Sequence, residues 1–153
     1  MNRYKLHNNK RLVLLIVLSV LIVAFIWSNS CKSREESGAQ SGAVTKFLQA
    51  ILDPDGNIPE TSFHHFVRKT APFVEFAILG LMVGGLFRLA CQQTGRAFFS
   101  LPVLTVLLVA VLDEYIQFFT GRGSAVTDVM LDFFGGLTGL GLTLLAAFLK
   151  KKK

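Results

Sequence analysis

Cysteine, tryptophan and proline are scarce in this chain. With two cysteines, one tryptophan and four prolines among 153 residues, it has too few thiols for a disulfide framework. Its helix breakers are also too few to interrupt the long apolar stretches. Cys31 follows the first apolar run and Cys91 ends the second, so they are expected on opposite faces of a bilayer. A disulfide needs Cα atoms within about 7 Å, so both are expected as free thiols. Charge is sparse as well, at 17% of residues, and it is absent from Leu12 to Trp27. The three histidines and two distant cysteines form no zinc-type cluster. Nucleic-acid binding is excluded on placement: the net charge of +6 comes from residues flanking apolar runs, whereas nucleic-acid binders show a basic face.

What is abundant is apolar sequence, 52% of residues with a mean hydropathy of +0.51. About 20 apolar residues are needed to cross roughly 30 Å of hydrocarbon as a helix. Four runs qualify: Leu12 to Trp27, about Ala71 to Ala90, about Ala97 to Phe119, and about Val126 to Leu149. The expected fold is all-α, a polytopic membrane bundle of four transmembrane helices. The N-tail (Arg3, Lys5, Lys10, Arg11), the middle loop (Arg88, Arg96) and the C-tail (Lys150 to Lys153) hold ten of the sixteen basic residues and none of the ten acids. By the positive-inside bias these segments are cytoplasmic, which an even number of spans permits. Ser28-Asn29-Ser30-Cys31 resembles a lipoprotein cleavage site, but Ser28 stands where leucine is usual. An uncleaved anchor is therefore expected.

The chain accordingly divides into a tail and first anchor (1–27), an extracytoplasmic linker with an interfacial helix (28–62), a three-helix membrane domain (63–149) and a basic tail (150–153). Within the second segment, Ser28 to Gly42 reads as a mobile linker from its Ser, Gly and charge. Ala43 to Leu52 has apolar residues at helical spacing and reads as a helix on the outer leaflet. Asp53 to Asn57 is a turn. Thr61 or Ser62 is the expected cap of the next helix. Pro72 either kinks that helix or sits in the first turn of a restarted one, and the kink is favoured.

The intramembrane acids share a level. At 1.5 Å per residue, Glu75, Asp113, Glu114 and Asp132 lie roughly 8–12 Å inside the outer ends of their helices. Such groups are costly in lipid and face the bundle interior or a wet cavity. Asp113 and Glu114 share a helix face with Gln117, as Asp128 does with Asp132. Arg68 and Lys69 lie above Glu75. Arg122, flanked by Gly121 and Gly123, can fold back over the acids. Helix dipoles favour Glu75, Asp128 and Asp132 near N-termini but disfavour Asp113 and Glu114 near a C-terminus, so Arg122 is the expected partner of those two. These nine residues form the candidate polar site; the bland alternative is a set of ion pairs fixing helix register. No cofactor is required, although a divalent cation at the carboxylates would be Mg, Ca or Mn, because oxygen ligands select hard ions. Gly80 and Gly84, with Gly135 and Gly139, are small-xxx-small pairs that let two helices approach.

Two stretches are familiar. Phe66-Val-Arg68-Lys69-Thr-Ala-Pro72-Phe-Val-Glu75-Phe76-Ala-Ile-Leu-Gly80 resembles the first signature of VanZ-like membrane proteins. Asp113-Glu114-Tyr-Ile-Gln117-Phe-Phe-Thr-Gly121-Arg122, continuing through Asp128 and Asp132 to Gly136, resembles the second and more specific one. The resemblance covers about Phe63 to Leu149. It implies a multi-pass protein of the bacterial cell membrane and low-level resistance to teicoplanin, a lipoglycopeptide acting at the outer surface, but no reaction. Family members often carry His where this chain has Pro72 and Tyr where it has Phe76; if that His supplies a proton or a ligand, this chain lacks it or borrows His64 or His65.

Three functions are compatible with these features. The favoured one is a non-enzymatic envelope factor binding a lipid-linked or lipidated molecule at the outer leaflet. The second is a membrane enzyme acting on a lipid headgroup through the Glu/Asp/Arg cluster. The third is a small proton-coupled transporter. The bilayer is the expected partner in each, and the sequence specifies no oligomeric state.

Overall fold

The structure is a computed structural model describing residues 3–95 and 98–151. Arg96, assigned above to the middle loop, lies outside the described residues, as do the last two lysines. Five helices follow one another: α1 (Arg3–Ser30), α2 (Arg34–Leu52), α3 (Glu60–Thr94), α4 (Ser100–Phe119) and α5 (Val126–Lys151). Among the described residues there is no strand. All except α2 are long and apolar enough to cross a membrane.

α3 is the organising element and packs on the other four helices, most extensively on α5. Its 35 residues extend roughly 52 Å at 1.5 Å each, well beyond the hydrocarbon thickness. The surplus first turns carry His64, His65, Arg68 and Lys69 out of the bundle, and α2 folds back onto them. Phe63 and Val67 are buried beneath that contact. Helices α3 and α5 meet backbone to backbone at the expected glycines. A methyl group on Gly80 would overlap the Gly136 carbonyl, one on Gly135 the Phe73 carbonyl, and one on Gly139 the Ala77 carbonyl; at Gly84 it would press on Thr143. Gly136 also receives Val106 of α4. The core formed around this seam is Ile26, Phe76, Leu79, Val83, Val106, Val109, Ala110 and Leu140. Most of α1 instead faces outward through residues such as Val13, Val20 and Leu21, as suits a helix bathed in lipid.

The structure corrects two expectations. Ser28 to Gly42 is not a mobile linker: α1 runs through Ser30, a short turn follows, and α2 begins at Arg34. The Ser33 side chain accepts the Glu36 amide while the Glu36 carboxylate accepts the Ser33 amide, a reciprocal capping box. That closure satisfies amides otherwise left open at a helix start, and it outweighs the weak helix propensity of Ser and Gly. The α3 helix starts at Glu60 behind Pro59, with no side-chain cap, so neither Thr61 nor Ser62 has the expected role. At Pro72 the favoured alternative holds, in that α3 runs through it as one helix and does not restart. The ring still removes the Pro72 N–H bond to the Arg68 carbonyl, near the polar end of the bundle. The predicted apolar stripe of α2 is present, with Val44, Phe47, Ile51 and Leu52 exposed. The turn after it is held by Asp53, whose carboxylate accepts the Asn57 amide at 2.9 Å and the Ile58 amide at 2.8 Å.

Candidate functional site

At the end of the bundle where α1 meets α2 and α4 meets α5, four helices bring polar side chains together. From α4, Asp113 and Glu114 point inward and are buried. The Asp113 carboxylate accepts the Ser30 hydroxyl at 2.7 Å and the Gln117 side-chain amide at 2.8 Å. The Glu114 carboxylate accepts the Ala125 backbone N–H at 3.0 Å, so an acid of α4 closes the N-terminus of α5, where anions are favoured. Asp132 of α5 joins them and is 2% exposed. Carboxylate oxygens of Asp113, Glu114 and Asp132 lie within 4.8 Å of one another. The shared level inferred from the helix ends thus corresponds to a shared place for these three.

Glu75 stands slightly apart, accepting a long hydrogen bond of 3.4 Å from the Asn29 side chain. Asp128 is separate too, because it forms an ion pair with Lys69 between α5 and α3. Among the described residues this is the one ion pair. Arg122 therefore does not pair with Asp113 or Glu114 as expected. Positive φ at Gly121 and Gly123 turns the α4–α5 loop so that Arg122 reaches α1. There its guanidinium donates to the Asn29 carbonyl at 2.9 Å, while its own carbonyl accepts Arg34 at 3.1 Å. Burial pushes the Arg122 pKa down from its ordinary value, and the Asp113 carboxylate pulls it back up. Its Nε atom is buried with no hydrogen-bond partner.

Two cavities open beside the cluster. The first, of about 350 Å³, lies between α3, α4 and α5 and is lined by His64, His65, Arg68, Lys69, Pro72, Glu114, Gln117, Arg122, Asp128 and Asp132. The second, of about 300 Å³, is lined by Asn29, Ser30, Ser41, Val44, Arg68, Pro72, Glu75, Phe76, Asp113, Gln117 and Arg122. Arg68, Pro72, Gln117 and Arg122 form the wall common to both. All nine predicted site residues therefore line one cavity or the other. The first cavity holds three cationic and three acidic side chains together, an arrangement suited to a zwitterionic or multiply charged head group. His64 and His65 line it beside Pro72, with the His64 ring 3.0 Å from the Ser41 hydroxyl.

Asn29, Ser30, Ser41 and Arg34 were overlooked in the sequence because they fall in the stretch that reads as a linker. A signal was present: Ser28-Asn29-Ser30 continues the register of an apolar helix with three small polar residues in a row. At the end of a span, such a run can turn hydrogen-bonding groups toward neighbouring helices.

No curated protein and no solved structure matches this chain. A family model described as VanZ/LLP1 matches residues 15–147. The match takes in most of α1, which the two motifs alone had not included. It agrees with the helix contributing Asn29 and Ser30 to the polar end, and the chain is a multi-pass membrane protein belonging to the VanZ/LLP1 family.

Proposed function

We propose that the protein is a non-enzymatic envelope factor that binds the polar head of an amphiphile at the outer leaflet, and that this binding underlies a low-level resistance to teicoplanin. The observation carrying this reading is the first cavity, about 350 Å³, whose lining includes Arg68, Lys69 and Arg122 together with Glu114, Asp128 and Asp132. Charged walls of both signs offer bidentate contacts to phosphate or carboxylate and acceptors for amines. The exposed apolar stripe of α2 beside the cavities gives an acyl tail a surface to follow. The Lys/Arg bias of the tails supports an outward-facing cluster.

Teicoplanin susceptibility of cells with and without the wild-type chain tests the reading, with Arg122→Ala as the site variant. The wild type is expected to raise the inhibitory concentration and Arg122→Ala, present in the membrane at equal level, to lose that gain. Equal susceptibility with and without the wild-type protein removes the resistance claim. The convergence of Asp113, Glu114 and Asp132 favours a second reading, turnover of a lipid headgroup with one carboxylate as general base. Mass spectrometry of lipid extracts from expressing and deleted cells separates the two, since binding alone leaves no altered lipid species.

A further inference from the structure

We infer that Asp113, Glu114 and Asp132 form the protein ligand set of a hard divalent cation, with Ca²⁺ the best fit. The three residues come from two helices and are 3%, 5% and 2% exposed. Their ligand oxygens lie within 4.8 Å of one another. Three oxygens spread around one Ca²⁺, each at 2.3–2.6 Å, are separated by about 4–4.5 Å, and two opposite ones by about 5 Å, so carboxylates within 4.8 Å of one another need at most a small side-chain shift to hold Ca²⁺. Mg²⁺ holds its ligands at 2.0–2.1 Å and would draw the carboxylates closer.

Proximity of acids alone would be insufficient, and the hydrogen bonds supply the second argument. Donors from Ser30, Gln117 and Ala125 are all directed at Asp113 and Glu114. A carboxylate receives such donors as an acceptor, whereas a protonated carboxyl needs an acceptor for its own proton. Asp113 accepts on both of its oxygens, which suits the carboxylate form, and Glu114 accepts on one beside it. The third, Asp132, has a buried oxygen, Oδ1, that no protein group satisfies. Among the described residues, no Lys, Arg or His nitrogen comes within ion-pair distance of these three acids, because Lys69 is committed to Asp128 and Arg122 to the Asn29 carbonyl. Buried carboxylate charge needs a counter-charge, and a residue with an unsatisfied buried oxygen whose carboxylate lies within 4.8 Å of the other two points to where it sits. Glu114 and Asp132 also line the first cavity, which leaves room for water or a ligand oxygen to complete the coordination.

This inference stands apart from the amphiphile reading, and its test uses no amphiphile. Chelator-stripped wild-type chain in lipid nanodiscs is titrated with Mn²⁺, whose free electron-paramagnetic-resonance signal falls on binding. One ion per chain is expected, displaced by Ca²⁺ and more weakly by Mg²⁺. Asp132→Asn, which keeps shape and removes charge, is expected to weaken Mn²⁺ at least about 10-fold, the lower end of what loss of a supporting ligand contact costs. Asp55→Asn in the exposed α2–α3 turn leaves it unchanged. Because Asp132→Asn could misfold, Asp113→Asn and the thermal midpoint of the wild type with and without Ca²⁺ provide a second readout. Folded wild type that takes up no Mn²⁺ at about 1 mM, the weak end of protein Ca²⁺ sites, overturns the inference. So does equal affinity in folded Asp132→Asn, which would place the ion elsewhere.

Discussion

Replacing Gly139 by alanine tests the α3–α5 seam on which the site is built. A methyl group there would lie 2.7 Å from the Leu81 nitrogen and 2.9 Å from the Ala77 carbonyl carbon, and it would overlap the Ala77 oxygen. All three atoms are backbone and cannot rotate aside. Relaxed contacts fall near 3.5–4.0 Å, so relieving the overlap with the Ala77 oxygen parts the helices by at least about 1 Å, and a gap of that size forfeits about half of each dispersion contact along the seam. Overpacking of this kind costs about 1–3 kcal/mol, and the backbone character of the clash argues for the upper end. Alanine returns about 1 kcal/mol through helix propensity, leaving a net loss of about 2 kcal/mol. Gly141 is the control, two residues along the same helix with nothing within 4 Å of its added methyl. Gly141→Ala should be neutral or stabilising by up to about 1 kcal/mol. Unfolding in mixed micelles at rising dodecyl sulfate fraction, followed by circular dichroism, gives both values. If Gly139→Ala proves as stable as Gly141→Ala, α3 and α5 do not meet at Gly139 and the placement of Asp132 against α4 loses its foundation.

Two further outcomes are expected. A membrane-impermeant maleimide on intact cells should modify exposed Cys31 and reach Cys91 only after permeabilisation; the reverse pattern would invert the assigned orientation. Asp53 is held below its usual pKa chiefly by the Ile58 amide and also by the Asn57 amide, against the opposing effect of burial. Its stabilisation of the α2–α3 turn is therefore complete above the ordinary carboxylate range and lost as pH falls through the lowered value. Hydrogen exchange at Asn57 and Ile58, corrected for intrinsic rates, should rise on acidification below about pH 4, where carboxylates protonate. Asp53→Asn should abolish that dependence, and unchanged protection in acid would refute it.

The membrane architecture was legible along the chain because its causes are one-dimensional. Leu12 to Trp27 needs no partner to be a span: its length and lack of charge suffice against the cost of an unpaired backbone in hydrocarbon. The same holds for the glycine pairs, since Gly80 and Gly139 recur one turn from Gly84 and Gly135 whatever surrounds them. Helical rise placed Asp113, Glu114 and Asp132 at one depth, although it could not say that they face each other. What composition misread was Ser28 to Gly42. Its order depends on a capping box and on packing against the overlong start of α3, both of which involve residues in particular orientations.

From sequence alone came the four spans, the bias of basic residues to the tails and middle loop, the polar level and the family signatures. All follow from local composition and from the fixed rise of a helix. Tertiary structure alone decided which acids converge. Azimuth around each helix axis depends on how α3, α4 and α5 pack, and a helix of 3.6 residues per turn carries no absolute angle until it meets a neighbour. That packing sent Arg122 to the end of α1, gave Asp128 to Lys69, and left three carboxylates facing one another.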